Sequence, residues 1–170
     1  PKNRYPVQTY VLEKNDAIIR EAIYNELGRG GQVFYLHNKV VDIDNIYNKI
    51  RKLVPEEKII IAHGQMNKNQ LENAVQEFID HEYDILLCTT IIETGIDIPN
   101  TNTLIVDMSD RLGLSQMYQI RGRVGRSERV SYAYFMYEKS NVLTKEGEQR
   151  LNAIKEFTNL DKFNLYLEKL

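Results

Sequence analysis

Short, uninterrupted apolar runs recur along the chain, and they constrain its fold more than any other feature. The clear ones are Val33–Leu36, Ile59–Ala62, Ile85–Cys88, Leu104–Val106 and Tyr132–Tyr137. Because they do not alternate with polar residues, they are typical of strands buried on both faces of a parallel sheet. A sixth segment, Val7–Leu12, alternates more and is a weaker strand candidate.

Between the predicted strands, apolar residues recur at the three- and four-residue spacing of amphipathic helices. The stripes are Ile19, Ala22, Ile23 and Leu27; Ile43, Ile46, Tyr47, Ile50 and Leu53; and Leu71, Ala74, Val75, Phe78 and Ile79. Asn67 and Gln70 have the spacing of a capping box at the start of the third helix. Two later helices are predicted on Leu151, Ile154 and Phe157, and on Leu160, Phe163, Leu167 and Leu170. This alternation predicts an α/β fold with right-handed crossovers.

Composition limits the classes of function. The 170 residues carry 22 basic and 24 acidic side chains, so any nucleic-acid contact must come from a local basic patch. Cys88 is the only cysteine; it is predicted to be a buried thiol without a disulfide, which fits a reducing, cytoplasmic setting. No apolar stretch approaches the ~20 residues of a membrane helix, so no membrane contact is expected. The start at Pro1 lacks an initiator methionine, and we expect a segment of a longer protein.

Two glycine- and histidine-containing patterns predict structure rather than chemistry. The Gly28–Gly31 cluster follows a predicted helix and precedes a strand, which is the reverse of the order in a phosphate-binding loop. A helix C-cap and turn are therefore predicted there. The three histidines, His37, His63 and His81, have no metal-ligand spacing, so no metal site is predicted.

Polar residues follow the carboxyl ends of several predicted strands, where open parallel sheets bind ligands. His37, Asn38 and Lys39 follow one strand, and all three can contact phosphate. Thr89 and Thr90 follow another and suit a phosphodiester. A hydrogen-bonded structural role is the alternative for the histidine, and a helix cap is the alternative for the threonines.

The segment after the threonines adds two residues of interest. Gly95 permits a tight turn of the backbone. Asp97 offers a carboxylate to a ribose hydroxyl or to an orienting arginine. Taken alone, this segment fits a solvated turn equally well.

The stretch from Gln119 to Arg126 places Arg121, Arg123 and Arg126 around two glycines. Guanidinium groups bind phosphate oxygens in a bidentate way, and glycine lets the backbone approach a ligand closely. The alternative is a solvated basic helix, which would carry two glycines at about 1 kcal/mol each. The stretch therefore predicts a polyphosphate-binding segment.

Taken in this order, the segments resemble the second RecA-like domain of superfamily 2 helicases and translocases. The strand that ends in His37 and Asn38 resembles motif IV, residues 89–99 resemble motif V, and residues 119–126 resemble motif VI. The resemblance covers nearly the whole chain. It implies a RecA-like three-layer α/β sandwich over residues 1–140, with a mainly parallel sheet, and a helical extension over 141–170 that resembles the translocation motif.

Within that superfamily, residues 62–66, 88–99, 113–119 and 122–127 resemble the bacterial transcription-repair coupling factors, which are double-stranded DNA translocases. The replication-fork remodelling helicases are the near alternative. Ser127 and the pair Ile96 and Ile98 favour the coupling factors. After Leu160 the sequence departs from the family's pattern.

The resemblance implies that the chain holds half of an ATP site. The family's first RecA-like domain supplies the phosphate loop and the acidic metal-binding motif, and neither pattern occurs here. ATP and Mg²⁺ would then be bound mainly by that domain, and this chain alone would be inactive. The implied ATP-binding residues are Gly95, Asp97, Gln119, Arg123 and Arg126, with Arg123 and Arg126 as catalytic arginine fingers.

The resemblance also implies partners. His37, Asn38, Thr89 and Thr90 would contact double-stranded DNA, and Gln149 and Arg150 would couple hydrolysis to that grip. The other implied partners are the first RecA-like domain of the same protein and, through further domains, RNA polymerase and nucleotide-excision-repair proteins. Two alternatives from other classes are a non-catalytic nucleic-acid-binding module and a purely structural α/β domain.

Overall fold

A computed structural model describes residues 7–89, 101–122, 124, 129–138, 144–153 and 155–156. Its elements are β1 (Val7–Glu13), α1 (Asp16–Gly28), β2 (Gln32–Leu36), α2 (Ile43–Leu53), β3 (Ile59–Ala62), α3 (Lys68–Ile79), β4 (Ile85–Cys88), β5 (Thr101–Val106), α4 (Leu114–Arg121) and β6 (Ser131–Tyr137). A 3-10 turn, Ser109–Arg111, lies between β5 and α4. Residues 145–153 form a further helix, α5. The six predicted strands are confirmed, and the helix predicted on residues 160–170 lies outside the described residues.

The strands form one sheet in the order β1-β6-β5-β2-β4-β3, and every neighbouring pair is parallel. All residues of β2, β4 and β5 are buried, as their uninterrupted apolar character predicts for central strands. β1, the more alternating candidate, lies at one side of the sheet and is only partly buried. The predicted α/β class and parallel sheet are confirmed.

Helices cover both faces of the sheet, because successive side chains of a strand point to opposite faces. On one face, α1 and α2 pack Ile23 and Ile50 into a core with Tyr35 of β2. On the other face, α3 and α4 pack Phe78 and Met117 against the alternate residues of the same strands. Leu151 of α5 belongs to this second core. The sandwich therefore has three layers.

The helix ends follow the local sequence. Asn67 Oδ1 accepts a hydrogen bond from Gln70 N at 2.8 Å, and Asn67 N donates to Gln70 Oε1 at 3.1 Å, so the predicted capping box is confirmed. Helix α1 ends at Gly28, and Gly30 has a φ of +84°, a backbone conformation that favours glycine. The predicted C-cap and turn are confirmed as well.

The topology creates a crevice at the carboxyl end of the sheet, where the strands end. Helix α2 follows β2 to one face, whereas α4 follows β5 to the other. Because β2 and β5 are neighbours, the chain segments that leave them diverge. Open α/β sheets bind ligands at such switch points. Among the described residues, no helix is both long and apolar enough to span a membrane.

Candidate functional site

A buried carboxylate, Asp107, occupies the crevice between β2 and β5. Its Oδ1 lies 2.7 Å from Nδ1 of His37, and its Oδ2 accepts a hydrogen bond from the Tyr35 hydroxyl at 2.9 Å. Lys14 Nζ lies 3.9 Å from the same Oδ2. The Asp107 side chain is 0% exposed, and a carboxylate buried to this extent is stabilised only when donors surround it. We call Lys14, Tyr35, His37 and Asp107 the Asp107 cluster.

Tyr35 is held in its neutral form. Burial raises the pKa of its hydroxyl well above the ordinary value, and the charge of Asp107 and the hydrogen bond to it act in the same direction. The hydroxyl therefore keeps its proton and donates a hydrogen bond to the carboxylate. Asp107 in this way joins the ends of β1, β2 and β5.

His37 and Asn38, both predicted to contact DNA, lie at the carboxyl end of the sheet but differ in exposure. His37 is 2% exposed, and its Nε2 has no hydrogen-bond partner within the part of the chain that the structure describes. Its backbone N donates to Cys88 O at 2.8 Å, and its carbonyl accepts from Lys39 N at 2.8 Å. Asn38 is half-buried, and Lys39 is exposed with its ammonium 3.5 Å from Asp42.

Thr89 lies beside this segment, at the end of β4. It is 3% exposed, and its backbone N donates to Ala62 O at 3.3 Å. Because β2 and β4 are neighbours, the fold brings Thr89 and His37 together. Directly after the next strand, β3, His63 accepts a hydrogen bond at Nδ1 from Gln65 N, at 3.1 Å. Cys88 is buried and free, as predicted.

The arginine-rich segment begins at the end of α4. Gln119 is exposed on this helix, whereas Arg121 is 7% exposed and Val124 is 3% exposed. Gly122 N closes the helix by donating to Tyr118 O at 3.0 Å. The remaining predicted residues of the site, Thr90, Gly95, Asp97, Arg123 and Arg126, lie outside the described residues.

Arg150, predicted to couple hydrolysis to DNA, fastens α5 to the turn that follows β5. Its Nη2 donates to Asp110 O at 2.5 Å. Gly147 permits this approach, since an added Cβ would lie 3.0 Å from the same carbonyl oxygen. Gln149, its predicted companion, is exposed. Helix α5 is therefore attached only three residues after Asp107.

Sequence reasoning missed Asp107, although a signal was present. Asp107 directly follows the apolar run of β5, just as His37 and Thr89 follow theirs. The same rule that selected those two residues would have selected this one. The described residues contain no group of three or more His, Cys, Asp or Glu side chains that could hold a metal ion.

Comparison with known proteins defines the class. Residues 13–128 match the helicase conserved C-terminal domain, and the chain belongs to that family. Over 160 residues, it is 59% identical to the transcription-repair-coupling factor of Bacillus subtilis (strain 168). It is 58% identical to the protein of the same name from Staphylococcus aureus (strain NCTC 8325 / PS 47). Both alignments cover 94% of this chain but only 14% of the relative.

Solved structures support the fold assignment. RecG bound to a three-way DNA junction matches 93% of this chain and 21% of that chain, with a TM-score of 0.75 and 31% identity. The C-terminal domain of the DEAD-box protein Dbp5 matches 89% of this chain and 84% of that chain, with a TM-score of 0.65. Its 18% identity shows a likeness of fold alone. The predicted RecA-like fold and the resemblance to the coupling factors are confirmed.

Proposed function

We propose that this chain is the second motor domain of an ATP-dependent double-stranded DNA translocase that acts in transcription-coupled repair in the cytoplasm. The observation that carries the proposal is the 59% identity, over 94% of this chain, to the Bacillus subtilis coupling factor. The motor domain spans residues 1–140, and residues 141–170 extend it with the start of the translocation motif. RNA polymerase and nucleotide-excision-repair proteins bind other domains of the parent protein.

The domain supplies one half of the ATP site. Arg123 and Arg126 reach across the cleft to the γ-phosphate as catalytic arginine fingers, a role worth about 10³–10⁵ in rate. Gly95, Asp97 and Gln119 contact the nucleotide, while the first RecA-like domain holds most of the ATP and the Mg²⁺. Support comes from α4, whose last residue, Arg121, is buried at the start of the arginine segment.

The carboxyl end of the sheet supplies the DNA grip. Asn38, Thr89 and Thr90, together with His37, hold one strand of double-stranded DNA through its phosphates, which carry no sequence information. Support comes from the parallel pairing of β2 and β4, which places His37, Asn38 and Thr89 at one end of the sheet.

Hydrolysis and DNA grip are coupled through α5. Closing and opening of the two motor domains alternates the grip, and Arg150 with Gln149 transmits this motion to the extension. The hydrogen bond from Arg150 to Asp110 O supports the proposal, because it ties α5 to the turn between β5 and α4.

Substitution of the second arginine finger tests the ATP half-site. In the full-length parent, Arg126→Ala should lower DNA-stimulated ATP hydrolysis by about 10³-fold or more, because the charge that develops in phosphoryl transfer loses its partner. DNA binding should stay measurable. Arg129→Ala is the matched control, since Arg129 is exposed and donates to the carbonyl of Arg29 at 2.8 Å. Unchanged turnover of Arg126→Ala would contradict the finger assignment.

The isolated chain gives a second test. Without the first RecA-like domain, it should hydrolyse ATP no faster than a buffer blank, with or without duplex DNA. Clear turnover by the pure chain, sensitive to Arg126→Ala, would show that the ATP site is complete within these 170 residues.

A replication-fork remodelling helicase is the second candidate, and the likeness to RecG at 31% identity favours it. The two candidates differ in substrate. A coupling factor should displace a stalled RNA polymerase from linear duplex DNA, whereas a fork remodeller should be stimulated selectively by branched DNA. A parent without any ATP hydrolysis would instead favour a non-catalytic binding module.

A further inference from the structure

Three contacts of His37 hold the turn that follows β2. The backbone N of His37 donates to Cys88 O on β4, at 2.8 Å. Its carbonyl accepts from Lys39 N, at 2.8 Å, which closes a tight turn around Asn38. Its ring Nδ1 lies 2.7 Å from Asp107 Oδ1 on the β5 side. His37 is therefore tied to both strands that flank β2.

The two residues after His37 are more exposed to solvent than His37 itself. The His37 ring is covered, with 2% of the residue exposed, whereas Asn38 is half-buried and Lys39 is exposed. An amide NH₂ group and an ammonium are hydrogen-bond donors that suit phosphate oxygens. The two residues that reach the surface of this turn are thus the ones with the right chemistry for a nucleic-acid backbone.

The hydrogen bonds of Asp107 also determine that Nδ1 of the His37 ring carries a proton. Asp107 already accepts a hydrogen bond from the Tyr35 hydroxyl, and a carboxylate can only accept, so Nδ1 of His37 is the donor. The hydrogen bond at Nδ1 orients the ring, and the ring orients the backbone of the turn. Asp107 therefore acts on the surface of the turn only through His37.

We propose that Asp107 and His37 are positioning residues, which fix the turn so that Asn38 and Lys39, rather than the His37 ring, contact DNA phosphates. The inference rests on the proposed DNA grip and changes its composition. In this proposal His37 supports the turn instead of contacting DNA, and Lys39 contacts DNA together with Asn38. Asp107 gains a role in DNA affinity although it lies beneath the surface.

Two substitutions of His37 in the full-length parent distinguish support from contact. Asparagine places its amide nitrogen where Nδ1 stands and can still donate to Asp107, whereas glutamine places its amide near the position of Nε2. His37→Asn should keep duplex DNA affinity within about twofold, and His37→Gln should weaken it about tenfold, the usual scale for one hydrogen bond to a charged group. Asp107→Leu should match His37→Gln, because both remove the same hydrogen bond, whereas an asparagine at position 107 would keep an oxygen that accepts from His37.

Tyr35→Phe is the control, since it removes a different donor from Asp107 and leaves the His37 bond in place. It should retain the wild-type affinity. The reverse pattern, with His37→Gln retained and His37→Asn weakened, would show direct contact through Nε2 and overturn the inference. Retention by both variants, or a loss of thermal stability without a loss of affinity, would overturn it as well.

If both His37 variants lose affinity, a cycle with the double variant Asn38→Ala/Lys39→Ala decides. Support through these two residues predicts that His37→Gln adds nothing further to the double variant, whereas additive losses would overturn the inference. DNA-stimulated ATP hydrolysis of the unmodified parent is measured alongside. Its absence would reject the proposed motor function, while its presence with an overturned pattern would reject only the positioning roles.

Discussion

Glu26 and Asp107 are buried carboxylates at opposite ends of the sheet, and they are partnered in different ways. At the amino end, where the strands begin, Glu26 of α1 is 1% exposed. Both of its oxygens are bound by the guanidinium of Arg29, at 2.7 Å each, and Thr103 also donates to it. At the carboxyl end, Asp107 has single hydrogen bonds from His37 and Tyr35 and a more distant Lys14.

The amino-end pair is closed. An added Cβ on Gly31 would overlap a Glu26 oxygen, so the backbone itself packs against the carboxylate. Arg29 is also stacked over the Tyr132 ring, 5.2 Å from its centroid. The hydrogen bond to Glu26 raises the pKa of Arg29, so the guanidinium stays charged. Every group here is occupied by another part of the fold.

The Asp107 cluster is open by contrast. His37 Nε2 has no hydrogen-bond partner among the described residues, and Lys14 is only a long-range partner. Burial alone therefore does not distinguish a structural carboxylate, such as Glu26, from one such as Asp107, for which we propose a role in DNA affinity. The two carboxylates differ in whether all the polar groups around them have partners. They also differ in whether they lie at the end of the sheet where ligands bind.

The largest loss of stability should come from breaking the ion pair between Arg29 and Glu26. Arg29→Met keeps much of the apolar stem but leaves Glu26 buried without its cation. Breaking such a pair costs about 3–5 kcal/mol of unfolding free energy. The urea midpoint of the 170-residue chain measures the loss.

Arg20→Met is the matched control for this substitution. Arg20 is exposed on the same helix, with its guanidinium 5.6 Å from the centroid of the Tyr24 ring. Its loss should change stability by less than about 0.5 kcal/mol, as surface substitutions do. Equal losses in the two variants would mean that Glu26 is not held by Arg29.

A smaller effect is expected from removing one donor of the open cluster. Tyr35→Phe takes away the hydroxyl that donates to Asp107 and should cost about 1.5–3 kcal/mol, the range for hydrogen bonds to charged groups. The low end applies because His37 still donates to the carboxylate. A loss as large as that of Arg29→Met would show that the cluster is as closed as the amino-end pair.

The sequence predicts most of the fold but few of these contacts. Apolar runs identify the strands, and the Asn67–Gln70 spacing identifies a helix start, because these signals are local. The pairing of His37 with Asp107 depends on β2 lying next to β5, which no local pattern encodes. Strand order depends on the whole chain. Local sequence patterns therefore identify residues of the site but not the residues that they contact.

Glu26 illustrates the same limit in a helix. It lies three residues after Ile23 and four after Ala22, so it continues the buried stripe of α1. A charged residue in that position reads as solvent-exposed until its partner is known. Arg29 follows in the very turn that the glycine cluster predicts, and only the fold shows that it turns back onto Glu26.

A smaller loss of stability is expected at alkaline pH, where Tyr134 ionises on the face of the sheet that α1 covers. Burial raises the pKa of Tyr134 to about 12, with contributions from Tyr10, Tyr132, Glu21 and Glu26. Because the folded pKa lies above the unfolded value of about 10, the stabilisation is complete below pH 10 and is lost between pH 10 and 12. Since Tyr134 is half-exposed, the loss at pH 11 should stay below about 1 kcal/mol.

The measurement is the urea midpoint from pH 8 to pH 11, for the wild type and Tyr134→Phe. The variant should lose less stability than the wild type above pH 10, because it has no phenol to ionise. Tyr47→Phe is the control, because it removes a tyrosine of helix α2 and leaves Tyr134 of strand β6 in place. Parallel curves for all three proteins would show that Tyr134 does not account for the alkaline loss.

The smallest effect should come from Lys14, the weakest partner of Asp107. At 3.9 Å its ammonium makes no hydrogen bond, and its side chain is 17% exposed, so water screens part of the attraction. Lys14→Met should cost less than about 1 kcal/mol in urea unfolding. Because two hydrogen bonds to Asp107 remain, this outcome would confirm that His37 and Tyr35 dominate the cluster. A cost above that of Tyr35→Phe would instead show that Lys14 is the main partner of Asp107. Asp107 would then resemble Glu26, which is held chiefly by one charged group.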